Sequence, residues 1–599
     1  MARQSDASAA RLAAMRKLSP RRHSTQAADE HALAVEQLQH FGIEPDSDFG
    51  RTLLQLTERL YSSQADVESL WNETLRTMQS LDRGERIAHF NAQKFLSFQL
   101  AKLLDTLQNP FRRNYQALDY SNTTRATKGP YAVFDNVTAI FSATPVITRT
   151  ATYIYACAEW IADAFQGKEL LLEIYSRLLN PTSISLANFI VDLEAGPHAP
   201  DYFALNFNSG MAAIDGVLSH LLGRDDILIS NRNIYGGAHQ LIHDWYAKPG
   251  NLEIAVETFD GCEAADFSAC WERVRHDYAD RLAAGRKVYL YLESPSNPHG
   301  DVLDVPNICR AAHAAGLRVM LDATVGTPFL SQPLQHPDPA ARPDFIIHSY
   351  TKDLSGTGSV IAGVVIGRNE DMFLPKGETA GGTAWNNTMF WNVYYVKGAF
   401  LNADAAFEVI QGIRTLEMRM LPKCINTQIL VRFLAAHPQI NCHSNMLAEN
   451  RNARLREQLL FLGLPAPLFT IDIDAVPAEA FQRFFDALAP TFDHMISLGQ
   501  SNTIISCPAF TTHSELDEAA LLESGIRPTT IRFAVGDEDP RDLIAHLIDA
   551  ARLTIDPLAP GFSAGFLTPE ATDALIRECY LETHRKYIGT KGLRGGAEK

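Results

Sequence analysis

From about residue 200 the chain alternates short apolar runs with amphipathic stretches, and that alternation leaves few folds open. Tyr202 to Phe207 reads as a strand. Asn208-Ser209-Gly210 then opens a helix whose Ile214, Val217, Leu218, Leu221 and Leu222 share one face. Val288 to Leu292 and Leu317 to Leu321 are two further strands. The stretch between them suits a right-handed βαβ crossover, with Pro306 at its first helical position and Gly316 at its end. Phe345 to Ile347 is a fourth strand, followed by Ser349-Tyr350-Thr351-Lys352. The pattern predicts α/β architecture around a mostly parallel sheet.

The flanking segments differ. Residues 30–108 read as helices: Val67, Leu70, Trp71, Leu75, Met78 and Leu81 form one apolar stripe, and Phe95, Leu96, Phe98, Leu100, Leu103, Leu104 and Leu107 a broader second one, stopped by Asn109-Pro110. The plain reading is a packing or oligomerisation domain. From about residue 416 helices (Thr427 to Ala436, Arg541 to Leu553) mix with strands (Asn502 to Cys507, Thr530 to Val535), which predicts a separate α+β domain. The expected plan is a disordered tail over 1–29, a helical extension over 30–130, a large domain over 131–415, an α+β domain over 416–559 and a C-terminal tail over 560–599.

Composition narrows the function. With 53 Lys and Arg against 70 Asp and Glu, the net charge of −17 repels phosphate backbones and anionic lipids, so neither nucleic acid nor membrane is an expected partner. No apolar run reaches the roughly 18 residues of a membrane helix. The eight cysteines form no C-x-x-C, which points to a reducing compartment, the cytoplasm. Residues 1–25 are Arg-rich like a transit peptide, although a solubilising tail is the plainer reading.

Ligands of an open α/β sheet sit beyond the C-terminal strand ends. Ser209 and Gly210 follow the first strand, Glu293 and Asn297 the second, Asp322 ends the third, and Lys352 follows the fourth. A desolvated lysine can form a Schiff base. A carboxylate aimed at a pyridine nitrogen keeps it protonated, and a helix N-terminus holds a phosphate. Together these are the needs of pyridoxal 5'-phosphate. Each residue also has a plainer reading: a surface lysine, a turn at Asn297-Pro298, core aromatics, a surface strand residue at Arg532, a packed His348.

The motifs Tyr175-Ser176-Arg177 with Asn180-Pro181-Thr182, Ser209-Gly210-Met211-Ala212-Ala213, Tyr235-Gly236-Gly237, Glu293-Ser294-Pro295-Ser296-Asn297-Pro298, His348-Ser349-Tyr350-Thr351-Lys352, Gly412-Ile413-Arg414-Thr415-Leu416, Ser497-Leu498-Gly499, Thr512-His513 and Ile531-Arg532-Phe533 occur in one order. In that set the chain resembles the Cys/Met-metabolism family of pyridoxal-phosphate enzymes, the cystathionine γ-synthase-like or trans-sulfuration group, over roughly residues 130 to 555. The resemblance implies a fold-type-I transferase in which Lys352 is the Schiff-base lysine and proton shuttle. Asp322 would partner the pyridine nitrogen, and Tyr235 would stack on the ring and act as acid or base. Ser209, Gly210, Met211, Ser349 and Thr351 would hold the phosphate, with Tyr175 and Arg177 reaching in from a second subunit of a homodimer or homotetramer. Arg532 would clamp the substrate α-carboxylate with help from Ser497, and Glu293 and Asn297 would stand near the ring.

Departures from the family pattern bear on the substrate. Asp322-Ala323-Thr324 stands for Asp-Asn-Thr, Asp353 for an aromatic after the lysine, Gly237 where methionine γ-lyases tend to carry Cys, and Ile496 where cystathionine-cleaving lyases tend to be acidic. The 368–400 segment and the N-terminal extension lie outside the usual plan. The reading is γ-replacement on an O-acylhomoserine or related sulfur amino acid. A γ- or β-lyase for cystathionine or methionine, replacement by a non-thiol nucleophile, and an inactive scaffold binding a partner through its N-terminal helices are the alternatives.

Overall fold

The computed structural model describes residues 27–40, 42–80, 82–113, 121–128, 142–153, 158–166, 174–447, 449–450, 452–474, 476–508 and 527–590. Nearly all of the expected tail, Leu81, Cys157 and Thr512-His513 lie outside them. The chain divides into two units: Met1–Val146 with Thr150–Ser176, and Ile147–Arg149 with Arg177–Lys599. This division comes later than the expected boundary at 130/131.

In the first unit, α1 (Glu30–His40) packs Leu33 and Ala34 against Tyr61 of α2 (Asp48–Gln79). Ser47 caps α2, its hydroxyl accepting the Gly50 N–H at 2.9 Å. Next come α3 (Arg83–Arg113), α4 (Asn122–Lys128) and α5 (Ala158–Phe165). Thr77 Oγ1 lies 3.2 Å from His89 Nε2, and Gln93 Nε2 donates to Thr74 Oγ1 at 2.5 Å, which fixes α2 and α3 as an antiparallel hairpin near the turn.

The second unit begins with α6 (Pro181–Ala195), capped by Asn180, and β1 (Tyr202–Phe207). There follow α7 (Gly210–Leu221), β2 (Ile227–Asn231), β3 (Ala255–Phe259), α8 (Ala264–Asp277), β4 (Val288–Glu293), α9 (Val305–Ala314), β5 (Arg318–Asp322), β6 (Phe345–Ser349) and β7 (Gly363–Arg368). These strands form one sheet in the order β1-β7-β6-β5-β4-β2-β3. All pairs from β6 to β3 are parallel, and β7 runs antiparallel to both its neighbours. The α/β expectation is met. β2 and β3 were not among the strands read from sequence. In β2 and β4 every residue is buried, the continuous apolar reading of strands covered on both faces.

A two-residue hairpin follows, β8 (Thr379–Ala380) with β9 (Thr383–Ala384), then α10 (Ala403–Ile413) and α11 (Leu416–Ala435). The expected helix over 427–436 therefore begins at Leu416, and Pro422 sits inside it. β10 (Ile440–His443), α12 (Ala453–Leu459), β11 (Leu468–Ile473), α13 (Ala478–Ala487), β12 (Asp493–His494), β13 (Ile504–Ser506) and β14 (Ile531–Ala534) complete a second sheet in the order β10-β11-β14-β13-β12. α14 (Pro540–Thr554) and α15 (Pro569–Thr590) close the chain. One continuous apolar core joins the two sheets, from Leu186 to Cys579.

Within that core His348 Nε2 of β6 meets Glu194 Oε1 of α6 at 2.6 Å, both side chains fully buried. His348 is thus a packed histidine. Removing one partner strands the other in apolar surroundings, which costs on the order of 3–5 kcal/mol for a buried ion pair. Glu194→Leu or His348→Leu alone should lower the thermal unfolding temperature more than half as far as the double variant does. Additive effects would show that the two groups are not coupled.

Candidate active site

β7 runs against the other six strands, so the C-terminal ends of β1, β4, β5 and β6 share one edge. Register places Glu293 opposite Asp322 there. Both carboxyls are buried. Burial raises the Asp322 carboxyl above its usual range. Burial and the Asp322 charge together hold Glu293 well above its own. Glu293 Oε2 accepts the Tyr235 N–H at 2.5 Å and Oε1 the Asn297 N–H at 2.9 Å. Asp322 Oδ1 accepts the Thr324 N–H at 3.0 Å, whereas Oδ2 faces the Tyr291 hydroxyl at 3.4 Å. A protonated ring nitrogen is the donor this second oxygen suits.

Next along the edge lies the N-terminus of α7. Ser209 caps it, accepting the Ala212 N–H at 3.0 Å. The first-turn amides of Gly210 and Met211 have no intrahelical acceptor and, with the helix dipole, favour an anion. A Cβ at Gly210 would stand 2.7 Å from Ser349 Cβ, so glycine permits the approach of the two loops. The Ser349 N–H donates to Thr324 Oγ1 at 2.8 Å. The Thr351 hydroxyl donates to Ala362 O at 3.2 Å and accepts the Ala362 N–H at 3.0 Å. Ser209, Gly210 and Ser349 are thus gathered at this helix start.

Lys352 Nζ donates to Ser497 Oγ at 2.8 Å. Burial, and then the nearby Arg532 charge, lower the ammonium to about 8. Arg532 lies on β14, a strand with neighbours on both sides, and is 5% exposed, not a surface residue. Its Nη1 donates to Asn297 Oδ1 at 3.3 Å and its Nη2 to Ser497 O at 2.8 Å, while the buried Nε has no partner. Burial lowers this guanidinium to about 10. A carboxylate is the acceptor such a buried donor calls for. Tyr235 is partly exposed, and a Cβ at Gly237 would fall 2.6 Å from its ring.

The structure brings in residues that sequence reasoning missed. Asn231 Oδ1, at the end of β2, accepts the Glu293 N–H at 2.9 Å. Lys423 of α11 is fully buried, bonding Asp353 Oδ1 at 2.7 Å and Gln500 O at 2.5 Å. Arg419 donates to Asp353 O at 2.7 Å. Gly499, at φ 79°, lies so close to Lys352 that a Cβ would meet Asp353 N at 2.5 Å. The Ser497–Gln500 loop and the Lys352 backbone are thus clamped from behind. Two more expected ligands are Tyr175 and Arg177. Arg177 donates to Tyr395 O at 2.7 Å, and Tyr175 belongs to the first unit, bridged to Thr152.

Pyridoxal phosphate fits this donor set: a helix N-terminus for the phosphate, Asp322 Oδ2 for the ring nitrogen, and a lysine of lowered basicity for the aldehyde. The comparisons agree. The family model for Cys/Met metabolism PLP-dependent enzymes matches residues 134–552. The L-methionine gamma-lyase of Pseudomonas putida is 28% identical over 409 residues, 68% of this chain and 92% of that one. The cystathionine gamma-synthase of Escherichia coli strain K12 is 32% identical over 383 residues, 63% of this chain and 87% of that one. A crystal structure of a putative O-acetylhomoserine (thiol)-lyase from Campylobacter jejuni superposes with a TM-score of 0.59 at 28% identity, over 69% of this chain and 96% of that one, and carries a pyridoxyl-lysine phosphate. The chain is therefore a pyridoxal-phosphate-dependent enzyme of the Cys/Met metabolism family.

Proposed function

We propose that the enzyme catalyses γ-replacement, joining an O-acylhomoserine to a thiol amino acid such as cysteine. The Cγ–O bond breaks, a Cγ–S bond forms, and the thiol proton balances the released carboxylate. The observation that carries this reading is Gly237: the Tyr235 ring leans into the space a side chain there would take, which leaves room for a second amino acid. Elimination needs no such room. The exposed, apolar Ile496 beside Ser497 favours a distal group without charge. Lyase activity on cystathionine or methionine is the second reading, favoured by the methionine gamma-lyase likeness.

When bound, pyridoxal phosphate serves as the electron sink for a carbanion at the substrate α-carbon. Arg532 holds the α-carboxylate through its unpartnered Nε. Lys352 Nζ, oriented by Ser497 Oγ, would take the Cα proton, pass it on to the cofactor and, neutral again, take a Cβ proton. Asp322 keeps the ring nitrogen protonated, and Tyr235 is placed to carry a proton to the leaving group. A second copy would bring Tyr175 and Arg177 to the phosphate, the family's way of sharing sites in a homodimer or homotetramer.

Purified enzyme with O-acetyl- or O-succinylhomoserine should release cystathionine only when cysteine is present, read by mass spectrometry. Dominant 2-oxobutyrate in the presence of cysteine would sink the replacement reading. Gly237→Cys should push Tyr235 outward and shift the product ratio toward 2-oxobutyrate.

Cofactor uptake by the stripped protein tests Lys352. Only the neutral amine attacks an aldehyde, and with an ammonium at about 8 that form grows as pH rises. Uptake should quicken about fivefold from pH 7 to 8 and less than about twofold beyond. Arg532→Gln removes a repelling charge and should move the step to higher pH; an unmoved step would refute the coupling.

Lys423→Met leaves Asp353 charged and unpaired in the core. The variant should lose kcat with KM little changed, and Lys423→Arg should restore part of it. A fall in stability alone, with kcat intact, would make the pair structural only.

A further inference from the structure

The α2–α3 hairpin is built inside out. The residues it draws into its own seam are small or polar: Thr74 and Thr77 on α2, and His89, Gln93, Ser97 and Ala101 at four-residue intervals on α3. From Val67 onward most of its large apolar side chains are exposed. Leu70, Trp71, Leu75, Phe95, Leu100 and Leu103 are each 46–65% exposed. A two-helix module gains little from such a seam, and an exposed apolar surface of this extent marks an interaction face.

We infer that this face pairs with the same face of a second copy of the chain, forming a four-helix bundle in which α2 of each copy lies on α3 of the other. Charge supports that occupant. α2 carries five acidic and three basic residues, 3 − 5 = −2, and α3 six basic and two acidic, 6 − 2 = +4. A two-fold axis sets the acidic helix of each copy on the basic helix of its mate, twice over. Size supports it too. Helices of 32 and 31 residues are about 47 Å long and about 10 Å wide each. Side by side they offer up to roughly 900 Å², against the roughly 800 Å² per partner of a standard stable interface. The inference is independent of the reaction proposed above.

The test uses the full-length holoenzyme carrying a Phe95→p-benzoylphenylalanine substitution, prepared in light and ¹⁵N-labelled forms, mixed after dissociation and reassembly, and irradiated. Mass spectrometry should find cross-linked peptides that pair a light partner with a heavy one, joining residue 95 to residues 48–79 of another copy. Adding Leu70→Glu and Leu100→Glu should cut their yield at least about tenfold, with the visible absorbance of the bound cofactor unchanged. Cross-links confined to one chain, whether to the hairpin or to residues 177–590, would overturn the proposal in favour of an intramolecular cover. So would the absence of mixed pairs, or a mixed yield indifferent to the two glutamates.

Discussion

Two buried carboxyl groups set side by side are the constraint around which the catalytic unit is organised. Glu293 and Asp322 end neighbouring parallel strands in register, so the sheet itself forces them together. Burial penalises both charges, and the Asp322 charge raises Glu293 further. The fold tolerates this by giving Glu293 two backbone donors, from Tyr235 and Asn297. Asp322 is left with an oxygen that a protonated ring nitrogen can satisfy. The strand register alone thus sets two buried carboxyls and one weakly satisfied Asp322 oxygen at the sheet edge.

The same economy of backbone and charge fixes the lysine. Its amine is held by one hydroxyl, its ammonium is discouraged by burial and by Arg532, and its main chain is trapped between Gly499 and the Asp353–Lys423 pair. Arg532 in turn hydrogen-bonds the Ser497 carbonyl. Ser497 therefore links the Lys352 amine to the Arg532 guanidinium, and a shift of that loop would disturb both.

How much of this was legible beforehand depended on whether a residue's role followed from its strand or from its distant neighbours. Lys352, Asp322, Glu293 and Ser209 stand at strand ends, so periodicity and turn chemistry alone placed them on one edge. Arg532 lay between Ile531 and Phe533 and looked like an outward strand residue. It is buried because β14 is flanked by β11 and β13, a pairing that no local pattern encodes. Lys423 was passed over because a lysine in a helix is ordinarily solvated. The available signal was its company, Cys424, Ile425, Ile429 and Leu430, in a helix with scarcely any polar face. Thr351 shows the other sense: its hydroxyl bonds the Ala362 backbone, a contact set by the return of β7 and not by the motif.

The N-terminal helices show the limit of periodicity most plainly. An apolar stripe on a helix says that the stripe is covered, not by what, and a reader of one chain naturally folds two adjacent stripes against each other. Here the polar residues make the intramolecular seam, because Thr74 and Gln93, and Thr77 and His89, satisfy one another across it. The stripes are thereby turned outward. A sequence that spends its hydrogen bonds on holding a hairpin together and keeps its hydrophobic surface in reserve has the energetics of an assembling element. Its stability is completed by what it meets and not by its own fold.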